Sequence, residues 1–115
     1  MGSDSTDIIQ VSTATGTEQG ALELARLAVK SRLAAGAQVV GPVKSVFWHA
    51  GESGEGVEWQ LILRTTADRY DELEKLLIEH HPWTNPEVLG LRVAAGSGGY
   101  LDWVRRTVQD SEHED

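Results

Sequence analysis

The feature that most constrains this fold is a pair of long extended segments separated by a short glycine-rich stretch. Gln38 to Ala50 and Val57 to Thr66 are both rich in β-branched and aromatic residues, and Glu52-Ser53-Gly54-Glu55-Gly56 between them reads as a hairpin turn. Two such strands predict an extended antiparallel hairpin around which the remaining chain must pack. Gly41-Pro42 interrupts the first strand; proline cannot donate to a ladder, so a bulge, a bend or an edge is expected there.

The flanking segments complete a pattern. Ile8-Ile9-Gln10-Val11-Ser12-Thr13 reads as a strand, and Thr15-Gly16-Thr17 suits the start of a helix. Residues 18–35 carry helical periodicity through Leu24, Ala28 and Ala35, with Gly36 placed for a left-handed C-cap. A second helix is expected from Thr66-Ala67-Asp68 to His80, where Pro82 stops it, on the spacing of Tyr70, Leu73 and Leu77. Pro86 to Ala94 follows as a fourth strand, and Tyr100 to Gln109 as a last helix with Tyr100, Val104 and Val108 on one stripe.

The order β-α-β-β-α-β plus a helix predicts an α+β, ferredoxin-like fold with an extra C-terminal helix, its antiparallel sheet carrying helices on one face. The domain spans residues 8–109, with residues 1–7 expected to be disordered and 110–115 an acidic, solvated tail.

A sheet with helices on one face and water on the other should alternate apolar and polar residues. Here both parities are apolar: in Trp59-Gln60-Leu61-Ile62-Leu63, in Val43 to Trp48, and in Val88-Leu89-Gly90-Leu91. The second face therefore needs another cover, and in 115 residues a partner subunit is the expected one. The competing expectation is that the last helix covers it.

Composition narrows the chemistry. Without cysteine there are no disulfides, thiolate sites or cysteine nucleophiles, so any metal must be held by His, Asp or Glu. A net charge of -8 disfavours nucleic acid as a partner. No apolar run approaches the ~20 residues of a membrane span, and the polar start Met1-Gly2-Ser3-Asp4 has no signal-like character, so a cytoplasmic location is expected. No nucleophile elbow, Walker loop or dinucleotide fingerprint is present, and enzymatic activity is not expected. Gly96-Ser97-Gly98-Gly99 precedes a helix, where its amides suit an anion, but a flexible connection explains it as well.

Several segments together resemble the CutA divalent-cation tolerance family. These are Arg32-Leu33-Ala34-Ala35-Gly36-Ala37, Glu58-Trp59-Gln60-Leu61-Ile62-Leu63-Arg64-Thr65-Thr66, the more specific His80-His81-Pro82-Trp83-Thr84-Asn85-Pro86-Glu87, and Tyr100-Leu101-Asp102-Trp103. The resemblance covers roughly residues 8–108. It implies a homotrimer, a role in the response to metal ions and no settled molecular activity. Relatives often carry a cysteine after the first helix where this chain has Gly36-Ala37, so a thiol-based copper site has no counterpart here.

Two constellations stand out. His80 and His81 are the metal candidates, since neutral imidazole ligates Cu(II) and Zn(II). Neighbours at a helix end point about 100° apart, so a full site needs a further residue. The alternative is that one ring caps the helix and the other is exposed. Glu58 and Arg64 share a strand parity; with Glu87, Trp48 and Trp103 they are candidates for an inter-subunit cleft taking a small ligand, or else for interfacial ion pairs and packing. A nucleotide sensor like the PII signalling proteins, with its ligand near Arg64, is the alternative function.

Overall fold

In the computed structural model, which describes residues 6–109, the chain folds as β1 (Ile8–Thr15), α1 (Glu18–Lys30), β2 (Gly36–His49), β3 (Glu52–Thr66), α2 (Tyr70–His80), β4 (Leu89–Arg92) and α3 (Gly98–Gln109). The four strands form one antiparallel sheet in the order β2-β3-β1-β4. This is the expected α+β, ferredoxin-like arrangement. The acidic tail lies outside the described residues. Residues 1–5 of the segment expected to be disordered also lie outside the described residues, while Thr6 is held in place: its N–H and hydroxyl both donate to the Val93 carbonyl at 2.9 Å. Asp7 pairs with Arg105 at 2.8 Å, and the guanidinium donors hold its carboxyl below the ordinary carboxylate range against the opposing effect of partial burial.

The principal core lies between the sheet and the pair α1 and α2. Val11, Leu61 and Leu63 from the strands meet Leu24, Ala28, Leu73 and Leu77 from the helices, all essentially inaccessible to water. Thr17 starts α1 by accepting the Gly20 N–H at 3.0 Å. The helix ends at Lys30 rather than at residue 35, and Arg32, at φ 63, adopts the left-handed conformation expected of Gly36. Gly36 instead opens β2 opposite Arg64, because the Ala35 N–H already donates to the Arg64 carbonyl at 2.8 Å. The Ala34-Ala35 pair reads as helical from propensity, but strand pairing claims it.

The hairpin turn also differs from expectation. His49 pairs with Glu52, so the loop is the two residues Ala50 and Gly51, both at positive φ as a tight primed turn requires. Gly54 and Gly56 lie inside β3, where the Phe47 ring crosses them; a Cβ on Gly54 would sit 2.9 Å from that ring. These glycines make room for an aromatic residue on the facing strand and do not form the turn. The expected irregularity at Gly41-Pro42 is present as a register shift between Val40 and Val43.

Helices are not confined to one face. The third helix packs on the opposite side, where Leu101, Val104 and Val108 enclose Ile8 and Ala35 in a second small core. It covers only that end of the sheet. Leu89 and Leu91 remain 51% and 62% exposed on the same face. The fourth strand is shorter than the expected Pro86–Ala94, leaving Glu87 in the loop that precedes it.

Candidate functional site

The two adjacent histidines at the end of α2 have opposite environments. His81 is buried. Its Nδ1 accepts the Trp83 N–H at 3.0 Å, so the ring proton sits on Nε2, which donates to the Ala14 carbonyl at 2.7 Å. The ring also rests against Trp83, with centroids 5.1 Å apart. Both nitrogens are occupied in fastening the residue 81–88 loop to β1, which removes His81 from the candidate ligands. A buried ring whose two nitrogens both bond protein atoms has no lone pair left for an ion.

His80 is exposed, and its Nδ1 lies 3.0 Å from the Leu76 carbonyl oxygen. A carbonyl only accepts, so Nδ1 carries the proton and Nε2 keeps its lone pair. The ring borders a cavity of about 380 Å³ between the helices, with Glu23, Gln19 and Pro82. Glu23 Oε2 accepts from Gln19 Nε2 at 3.1 Å. Among the described residues no group of three or more His, Asp or Glu side chains is placed to hold a metal. One imidazole and one carboxylate suit a borderline divalent cation such as Cu(II) or Zn(II), but do not close a coordination shell.

The cleft candidates do not converge within one chain. Glu58 and Arg64 do share a face, as their parity requires, yet six residue steps along the strand separate them by about 20 Å. Trp48 pairs with Ser53 near the hairpin tip, on the other face of the ribbon, and is 74% exposed. Trp103 lies on α3, its ring tilted against Tyr100 with centroids 5.6 Å apart. It also reaches β2: a Cβ on Gly36 would meet its Cη2 at 3.6 Å.

Arg64, of this set, lines a concavity. Its strand partner in β1 is Gln10, whose Oε1 accepts the Arg64 Nε–H at 3.0 Å. The two border a cavity of about 520 Å³ closed on one side by the loop before α3 and by Tyr100 and Leu101. Sequence reasoning missed Gln10. Its signal was a lone amide in the run Ile8-Ile9-Gln10-Val11, but only the register reveals that it faces Arg64.

Residues 9–107 match the family model described as CutA1 divalent ion tolerance protein. The divalent-cation tolerance protein CutA of Thermus thermophilus is 35% identical over 89 residues, covering 77% of this chain and 86% of that one. The crystal structure of CutA from Xylella fastidiosa has the same fold, with a TM-score of 0.88 at 24% identity over 90% of this chain and all of that one. A CutA structure from Archaeoglobus fulgidus matches with a TM-score of 0.85 at 24% identity over 89% of this chain and 99% of that one, and is described as a periplasmic divalent cation tolerance protein. That description overturns the expected cytoplasmic location: the polarity of a few N-terminal residues does not decide a compartment. Among the described residues no helix is long and apolar enough to cross a membrane. With the family model spanning nearly all of the described residues and a relative above 30% identity, this chain belongs to the CutA1 divalent ion tolerance family.

Proposed function

We propose that this protein is a non-enzymatic, homotrimeric component of the response to divalent metal ions, binding Cu(II) or a similar cation through His80 and a carboxylate. Family membership supports the metal-related role. Within the chain, the observation that supports direct binding is the His80 ring, whose Nδ1–H is tied to the Leu76 carbonyl while Nε2 stays open beside Glu23. A held tautomer and a nearby carboxylate favour an ion of Cu(II) or Zn(II) type over Mg(II) or Ca(II), which prefer oxygen ligands alone.

The proposed trimer rests on uncovered apolar surface. Val46, Trp48 and Val57 on the distal hairpin are 72%, 74% and 54% exposed, and Leu89 and Leu91 add to the open sheet face. Further subunits would cover both regions and bring residues of neighbouring chains together at the cleft. The nucleotide-sensor alternative is less favoured. Polyphosphates call for several cations, whereas the Arg64 cavity presents one.

Isothermal titration with Cu(II) and with Zn(II) tests the binding. Saturable heat is expected from the wild-type protein and should be lost in His80→Ala, while Glu23→Gln should weaken it. No saturable heat, or heat indifferent to His80→Ala, rules the reading out.

A further inference from the structure

We infer that the His80 site takes its cation as a one-to-one chelate with a small α-amino acid, an inference that rests on the proposed metal binding by His80 and Glu23. The protein side of that site is incomplete. His80 offers Nε2, because its Nδ1–H is tied to the Leu76 carbonyl at 3.0 Å. Glu23 offers its carboxylate, held at Oε2 by Gln19 Nε2 at 3.1 Å. Among the described residues no third His, Asp or Glu is placed to join them. Cu(II) favours four N and O donors near one plane, so two positions stay open. The cavity beside the two ligands measures about 380 Å³, far more than an ion needs and within the range of small-molecule sites. It lies between α1 and the end of α2, across the sheet from the exposed Leu89 and Leu91, so further subunits on that open face leave it accessible.

The surroundings select the co-ligand. The amine nitrogen and one carboxylate oxygen of an α-amino acid fill both open positions and complete a plane of two nitrogens and two oxygens with His80 and Glu23. Charge balances as well. A dication, the Glu23 carboxylate and one amino-acid anion sum to zero, whereas a neutral diamine leaves a positive charge uncompensated against apolar walls. The second carboxylate oxygen finds donors at the rim. Thr17, Gln19 and Gly20 line the cavity at the start of α1, a helix of 13 residues. Thr17 Oγ1 accepts the Gly20 N–H at 3.0 Å, and the amides before it, at Glu18 and Gln19, have no partner inside the helix. Leu24, Leu27 and Pro82 supply an apolar wall for the side chain of the amino acid.

The test is equilibrium dialysis of the full-length protein against Cu(II) with one equivalent of radiolabelled L-leucine, Cu(II) with one equivalent of ethylenediamine, and each component alone. The protein should retain copper and leucine together in equal amounts and no leucine without copper. The ethylenediamine complex should bind at least about tenfold more weakly. His80→Ala should abolish retention of both copper and leucine. The leucine complex should bind more tightly than the glycine complex, a preference that Leu27→Ala should reduce. Copper retained without leucine overturns the inference and leaves the metal reading standing, whereas retention of neither overturns both. Leucine retained without copper, equal binding of the two chelates, or full retention in His80→Ala also overturns it. Should Leu27→Ala fail to fold, the comparisons on the wild-type protein still decide.

Discussion

The two ends of the β2–β3 hairpin are the same kind of structure in opposite surroundings. At the base, Leu61 and Leu63 are wholly buried under α1 and α2. Beyond the register shift at Val40 and Val43 the ribbon continues for seven more pairs, to the turn at Ala50 and Gly51, and the helices no longer reach it. Val46, Trp48, Val57 and Phe47 are as apolar as the base residues but are exposed. Strand pairing satisfies the backbone at both ends, so hydrogen bonding does not distinguish them. Burial does: the base contributes to the stability of one chain, and the arm can gain hydrophobic stabilisation only by contact with another molecule.

Substitutions at the two ends should separate those contributions. The largest effect is expected at the base, where Leu63→Ala removes a fully buried side chain and should cost about 2–5 kcal/mol in chemical denaturation. A loss within about 0.5 kcal/mol, the range of a surface change, would break the contrast. The next is His81→Ala, which leaves the Ala14 carbonyl and the Trp83 N–H without their partner and should cost about 1–3 kcal/mol. Copper affinity should not change in that variant; a parallel loss of affinity would restore His81 as a ligand.

On the arm, Trp48→Ala combined with Val46→Ser should alter the stability of a single chain by no more than about 0.5 kcal/mol. It should instead lower the solution mass at micromolar concentration in light scattering. Unchanged mass would mean that the exposed row is not an assembly surface. The smallest effect belongs to the Asp7–Arg105 pair, which is well exposed and screened. Because the folded-state pKa of Asp7 is lowered, its contribution is present above the unfolded value of about 4 and is lost as pH falls through the folded one. Asp7→Asn should therefore melt slightly lower than wild type at neutral pH, with the two curves merging in acid. A gap that persists undiminished below about pH 3 would count against this ion pair as its source.

Much of the fold was legible because periodicity reports burial. Leu73 and Leu77 marked the buried stripe of α2, and mixed parity in Trp59-Gln60-Leu61-Ile62-Leu63 marked a sheet with apolar residues on both faces. Local conformation was less legible. Glycine was expected to mark the turn and the helix cap. Arg32 takes the positive φ expected of Gly36, and Ala50 shares the positive-φ turn with Gly51, while Gly36, Gly54 and Gly56 occur in strands. Glycine accommodates a close neighbour as well as a positive φ, and the two uses look alike in a sequence.

The candidate sites show the same limit. The His80-His81 pair was visible as metal-ligating chemistry, but not which ring nitrogens were already engaged, since that depends on Ala14, which is 67 residues from His81. The amino-acid sequence by itself determined the element order, the need to cover a second apolar face and the exclusion of thiolate chemistry, because these follow from local pattern and residue type. Only the tertiary structure decided that His81 is a fastener, that α3 covers just one end of the open face, and that Arg64 has Gln10 rather than a carboxylate opposite it. Those outcomes depend on strand register and packing between distant segments, where a shift of one residue would turn every side chain to the other face.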